Sequence, residues 1–245
     1  MNAKIRLYVD HPLGKAQTIP LEQAQAHYLF GVMRQNIGAH VLLFNSRDGE
    51  WLATITQAAK RKGTLTCVEQ TRPLQMPPDL WLLFAPIKKA RTDFIVEKAA
   101  EMGAAQIMPV QTDFTNSDRI RQDRLQAHAI EAAEQCGGTY VPKVTALQKL
   151  DRVLDDWPTD RQLIFCDEEK VGQGLSLKPG HAAKGEHQPS AILIGPEGGF
   201  SPPERMRLIA LPFVTTISLG PRILRADTAA VAAMTLWQDR LGDWR

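Results

Sequence analysis

Apolar positions along the chain change their spacing once, near residue 75, and the change predicts two differently built regions. Before it lie short runs rich in β-branched and aromatic residues, at 6–9, 41–44, 51–56 and 64–68. Turn signals at 45–49 and at Lys62-Gly63 separate them, and one helix, about 21–33, interrupts them. Such a mix predicts a small β-barrel domain. After it, apolar strands at 80–85, 106–110, 162–166, 191–195 and 213–219 alternate with helices. The helices are read at 92–102, at roughly 119–136, from Ser201, and at about 227–241. Strand-helix alternation is the order of an α/β domain with a mostly parallel, helix-covered sheet. Between the regions, Arg72-Pro-Leu-Gln-Met-Pro-Pro-Asp79 can continue neither a helix nor a central strand, which sets domains at 1–72 and 73–245. Residues 168–190, rich in Gly, Pro, Lys and Gln, read as an exposed loop.

Composition narrows the class. With 44% apolar residues in 245, the chain can bury one large core or two small ones. No apolar run approaches the ~20 residues that cross a bilayer, and the first residues lack the apolar stretch of a signal peptide. The expectation is a soluble, cytoplasmic protein without a membrane partner. Cys67, Cys136 and Cys166 are far apart and odd in number, so neither a disulfide framework nor a metal knuckle is supported. The six histidines have no ligand spacing, and no metal is expected. Net charge is only +2, but residues 1–72 hold nine basic and five acidic side chains, against 20 and 22 in the remainder. That bias suits an N-terminal module that meets phosphate, although ordinary surface variation explains it equally well on charge alone.

Two loops carry candidate chemistry. In Leu193-Ile-Gly-Pro-Glu-Gly-Gly-Phe-Ser-Pro-Pro-Glu204 a buried strand runs into glycines and then a helix start, with Ser201 as N-cap and Glu204 three residues on. Gly195, Gly198 and Gly199 permit close approach of a ligand to the main chain. The phosphate-binding glycine motifs do not fit, and Glu197 opposes a phosphate while suiting a cation. The second loop, Ile217-Ser-Leu-Gly-Pro-Arg-Ile-Leu-Arg-Ala-Asp-Thr-Ala-Ala230, is again a strand end and a helix start, capped by Asp227 or Thr228. Arg222 and Arg225 flank the apolar pair Ile223-Leu224, which suits a flat ligand beside anionic or polar oxygens. On residues alone, ordinary tight turns with surface arginines remain as good an account.

Taken together, the Leu-Ile-Gly-Pro-Glu-Gly-Gly-Phe-Ser and Leu-Gly-Pro-Arg-Ile-Leu-Arg-Ala-Asp-Thr-Ala segments resemble the RsmE family, 16S ribosomal RNA uridine-N3 methyltransferases of the SPOUT class. The likeness extends to Ala85-Pro-Ile-Lys-Lys-Ala-Arg-Thr-Asp-Phe-Ile-Val-Glu-Lys-Ala-Ala-Glu-Met-Gly103 and to Ile130-Glu-Ala-Ala-Glu-Gln-Cys136. His27-Tyr-Leu-Phe-Gly-Val-Met-Arg34 and Val41-Leu-Leu-Phe-Asn-Ser-Arg-Asp-Gly49 resemble its PUA-like N-terminal domain. The resemblance implies a trefoil knot in the C-terminal domain, a homodimer, S-adenosylmethionine as cofactor, and 16S ribosomal RNA or the small ribosomal subunit as partner. Two departures stand out. Where many members have Glu-Gln-Ser-Gly-Arg this chain has Glu134-Gln-Cys-Gly-Gly138, and where many have Glu-Arg-Ser it has Asp113-Phe-Thr115.

The resemblance also assigns residues. Cofactor binding falls to Leu193, Ile194, Gly195, Pro196, Glu197, Gly198, Gly199, Ser218, Leu219, Gly220, Arg222, Ile223, Leu224, Thr228 and Ala229. Arg225, or else Arg222, is expected to stabilise charge on the uracil oxygens, with Glu197 as base or orienter, its plain role being a charge near a helix N-terminus. By residue chemistry and not by the resemblance, Lys88, Lys89, Arg91, Arg34 and Arg6 are expected to meet RNA, a solvated charged face being the plain alternative for the first three, and Phe200 or Tyr28 is a candidate to stack on the target base, with a core role as its plain alternative. Competing readings are a SPOUT methyltransferase for another RNA position and a noncatalytic RNA-binding assembly factor.

Overall fold

The computed structural model describes residues 3–117, 119–172 and 188–244. They divide into two compact units, Met1–Met76 with Ala133–Val141, and Pro77–Ala132 with Pro142–Arg245. The division thus falls four residues beyond the expected position and adds a second segment to the first unit.

In the first unit, strands β1 (Arg6–Tyr8), β2 (Thr18–Pro20), β3 (His40–Phe44), β4 (Glu50–Ala59) and β5 (Lys62–Arg72) form one sheet in the order β1-β3-β4-β5-β2. β1 runs parallel to β3, and the other pairs are antiparallel. Helix α1 (Gln23–Ala26) continues without a break into a π-helical stretch, His27–Val32, in place of the single α-helix expected. Ile19, Leu29, Val41, Leu43, Ile55 and Leu65 fill the core. β2 escapes the periodicity because Ile19 is its only buried residue. Register shifts in β4 against β5 break the strict alternation there.

Arg6, expected from sequence to meet RNA, is held by side-chain and main-chain partners inside this unit. Its guanidinium binds Glu50 at 2.7 Å and donates to the carbonyls of Ala133, Glu134 and Gly138. It also lies 4.5 Å from the centre of the Phe44 ring, with only 11% of the side chain exposed. Four of its five N–H donors are thereby engaged within the unit. Glu50, 3% exposed, also accepts from Arg72 at 2.5 Å and Thr71 at 2.9 Å. Burial alone would raise the Glu50 pKa, but these hydrogen bonds from Arg72, Arg6 and Thr71 outweigh it and hold the carboxyl below its usual range.

The second unit is a seven-stranded sheet. Its strands are β6 (Leu80–Phe84), β7 (Gln106–Gln111), β8 (Lys143–Val144), β9 (Gln148–Lys149), β10 (Gln162–Cys166), β11 (Ser190–Ile194) and β12 (Val214–Ile217). The order is β12-β10-β11-β6-β7-β8, with β9 also on β7, and every pairing is parallel. Helices α2 (Lys89–Glu101), α4 (Leu150–Asp155), α5 (Pro202–Ala210) and α6 (Ala226–Arg240) complete it, with α3 (Gln122–Cys136) up to Ala132; the last turn of α3, from Ala133, belongs to the first unit. β11 is buried along its whole length, as a strand covered on both faces must be. The short β8, β9 and α4 lie outside the sequence reading because each is too brief to show a period. In the expected loop at 168–190, Glu168–Lys170 forms a 3-10 turn capped by Asp167, and residues 173–187 lie outside the described set.

Candidate active site

Three parallel neighbours, β12, β10 and β11, end at the same edge of the sheet, where open α/β sheets bind ligands. Past β11 the chain forms the first loop, and α5 opens as its residues dictate. Ser201 Oγ accepts from Glu204 N, and Glu204 Oε2 accepts from Ser201 N at 3.0 Å, closing the expected capping box. Glu204 Oε1 also accepts from Asp113 N at 2.8 Å, and Ser201 Oγ donates to Asp113 Oδ2 at 2.5 Å. The helix start is therefore tied to the segment after β7 as well as capped.

Two glycines are needed by this geometry. A Cβ on Gly195 would lie 2.6 Å from the Phe200 ring, which is 6% exposed and meets Phe165 edge-on at 5.0 Å between centres. Gly199 sits at φ +69°, and a Cβ there would strike the Glu168 carboxylate.

The second loop follows β12. Its helix, α6, begins at an N-cap of Arg225, which makes no capping hydrogen bond, so the expected cap by Asp227 or Thr228 is displaced. Asp227 lies in the first turn and accepts from Thr228 N at 3.0 Å. The end of β10 supplies a third wall that the sequence reading missed. Asp167 N donates to Ile217 O, Gly172 N donates to Gly220 O at 3.1 Å, and Asp167 binds Arg205 of α5 at 2.8 Å. The Asp167 hydrogen bond raises the Arg205 pKa against slight desolvation, with Glu169 and Glu168 adding to it. Burial pushes the Cys166 thiol up, out of the range of a nucleophile.

Together these segments enclose one cavity of about 350 Å³. Of the expected cofactor residues, Ile194, Gly195, Pro196, Glu197, Gly198, Gly199, Leu219, Gly220, Arg222, Ile223, Leu224 and Ala229 line it. Arg225 lines it too, with the unanticipated Cys166, Asp167, Glu168, Val171 and Ala226. Leu193, Ser218 and Thr228 do not. Leu193 points into the core, the Ser218 hydroxyl bonds Gly220 within the loop, and Thr228 is on the outer face of α6. Nothing local in residues 166–171 marks them as a wall; only the place of β10 between β11 and β12 does. Glu197, Arg222 and Arg225 are exposed, and among the described residues none of the three has an ion-pair or side-chain hydrogen-bond partner. Ile223 is 76% exposed although it lines the cavity.

Lys88, Lys89 and Arg91 lie in the segment that adjoins this edge. Ala85 N donates to Ile194 O, placing the segment before α2 beside the first loop. Lys88 and Lys89 are exposed there, and Arg91 faces Asp227 of α6 at 3.8 Å. Arg34, in the first unit, is exposed at φ +51°. Among the described residues no group of His, Cys, Asp or Glu is placed to hold a metal, and no helix is long and apolar enough to cross a membrane.

Residues 75–238 match the RNA methyltransferase domain family, and residues 21–66 match the RNA methyltransferase PUA domain. The chain belongs to the RNA methyltransferase family. It is 28% identical over 231 residues to ribosomal RNA small subunit methyltransferase E of Rickettsia conorii, covering 94% of this chain and 93% of that protein. To the Bacillus subtilis protein of the same name it is 26% identical over 230 residues, covering 90% of each. Among solved structures, ribosomal RNA small subunit methyltransferase E from Neisseria gonorrhoeae bound to S-adenosyl methionine superposes with a TM-score of 0.84 at 26% identity, covering 98% of this chain and 99% of that one. The PUA-like β-sheet domain and the parallel α/β methyltransferase domain expected from sequence are thereby established as the architecture of this family member.

Proposed function

We propose that the chain methylates N3 of a uridine in 16S ribosomal RNA of the small subunit, with S-adenosylmethionine as donor. The observation that carries this is the convergence of three strand ends on one cavity, in a chain of the RNA methyltransferase family. The cavity fits the cofactor. Its volume lies at the lower end of the ~300–1,000 Å³ of drug-sized sites, and Ile194, Leu219, Ile223 and Leu224 suit a flat base. Glu197 and Glu168 suit a cationic portion. S-adenosylmethionine supplies, when bound, an electrophilic methyl group and a neutral thioether leaving group.

The remaining chemistry falls to the protein. A neutral imide nitrogen is a poor nucleophile, so the N3 proton must leave before attack. Glu197, unpartnered among the described residues, takes it. Negative charge then develops on the uracil oxygens, and Arg225 opposes it, with Arg222 as the second candidate. Main-chain groups at Gly195 and Gly199 hold the cofactor close. The N-terminal domain and Lys88, Lys89 and Arg34 dock the RNA; the chain works as a homodimer with its cofactor loops in a trefoil knot.

Mapping N3-methyluridine in 16S ribosomal RNA from cells with and without this protein tests the reading. Loss of one mark supports it, and a mark at another atom or RNA redirects it. Absence of S-adenosylmethionine binding by calorimetry would favour a noncatalytic assembly factor. Arg225→Ala is expected to lower turnover by roughly 10²- to 10³-fold with little change in cofactor affinity; full turnover on small subunits would remove Arg225 from the chemistry. Lys88→Gln with Lys89→Gln is expected to flatten the dependence of log affinity on log salt, by roughly 0.7 for each single-strand phosphate no longer neutralised. An unchanged slope would take both lysines off the RNA surface.

A further inference from the structure

A base methylated at a ring atom must be unstacked and held flat, and proteins do this on an aromatic face or a guanidinium plane. Neither aromatic expected from sequence serves. Phe200 is packed edge-on against Phe165 and closed on the Gly195 side, while Tyr28 packs onto the core of the first unit.

Phe114 is more exposed than either. It is 44% exposed, in the segment after β7, and its Cβ is 3.4 Å from where a Cβ on Gly198 would lie. Gly198 lines the cofactor cavity and Phe114 does not, so Phe114 stands beside the loop that walls the cavity, outside it. The backbone that carries the ring is pinned. Asp113 N and Oδ2 are bound to Glu204 and Ser201 in the first turn of α5, and Thr112 N donates to Thr115 Oγ1 at 2.9 Å. A large apolar ring held out to solvent on a fixed turn keeps no rotational freedom of the main chain to lose on binding, the property a stacking platform needs. We propose that Phe114 stacks on a nucleobase of the RNA beside the cavity. The inference rests on the proposed RNA methyltransfer and adds the surface that receives the base. Because the ring is uncharged, its contribution is independent of salt, unlike that of Lys88 and Lys89.

The test uses the full-length parent with Phe114→Ala, Phe114→Tyr and Phe114→Trp. S-adenosylmethionine affinity is measured by calorimetry, and affinity for small subunits and for a short oligouridylate across a salt series. Phe114→Ala is expected to weaken RNA binding about tenfold at every salt concentration, with an unchanged salt slope and unchanged cofactor affinity. Phe114→Tyr retains parent affinity, and the added emission of Phe114→Trp over the parent is quenched by oligouridylate. Parent-like RNA affinity in Phe114→Ala, or an equal loss of cofactor affinity, would overturn the proposal. If the parent methylates uridine while Phe114→Ala binds RNA normally, the platform alone fails. If the parent forms no N3-methyluridine yet Phe114→Ala loses RNA affinity and Phe114→Trp is quenched, the platform stands and the reaction assignment fails.

Discussion

Arg6→Ala is expected to cost about 1–3 kcal/mol of unfolding free energy, measured by urea denaturation, because it removes one of the two arginines on buried Glu50 and a shared donor to three carbonyls. The carbonyls of Ala133 and Glu134 are among the last four of α3, the end of a helix where side-chain donors commonly bind. An RNA contact at Arg6 would instead leave stability unchanged and weaken RNA binding alone. The same cluster gives a pH dependence of defined sign. The Glu50 carboxyl is held below its usual range when folded, so its stabilisation is complete above the unfolded-state pKa of a glutamate and is lost as pH falls through the lowered folded value. Acid titration of Glu50→Gln should lack that step; an unchanged acid transition would show that Glu50 contributes none of it.

Gly195→Ala should lower turnover about a hundredfold, because loop and ring cannot both keep their places. The added methyl lies 2.6 Å from Phe200, whose ring is held by Phe165 and the surrounding core, so the backbone of the first loop must shift into the cavity it lines. Overpacking of this kind also costs about 1–3 kcal/mol of stability. Cofactor titration by calorimetry should show the binding loss directly, and Gly195→Ala with Phe200→Leu should recover part of it by freeing space. Parent-like cofactor affinity in Gly195→Ala would mean that the glycine serves the turn and not the cavity.

Some features follow from local rules and were legible in the residues. Strands β6, β10 and β11 are continuous apolar runs, and α5 starts at Ser201 because Ser201 and Glu204 satisfy each other's main chain within four residues. Both ligand loops were also visible, since each is a strand end followed by glycine and a helix start. Where local rules left two candidates, packing chose a third: α6 begins at Arg225, not at Asp227 or Thr228.

The rest depends on which segments meet. Arg6 has the composition of an RNA contact, and only the fold shows that Glu50, Phe44 and the end of α3 consume it. Cys166, Asp167 and Glu168 carry no motif, yet β10 between β11 and β12 makes them a wall of the cavity. Phe114 lies 84 residues from Gly198 in the chain and beside it in space. Periodicity and capping act over a few residues, so the sequence by itself determined the longer elements and the two loops; the third wall, the buried cation and the ring beside Gly198 were decided by which distant segments the fold brings together.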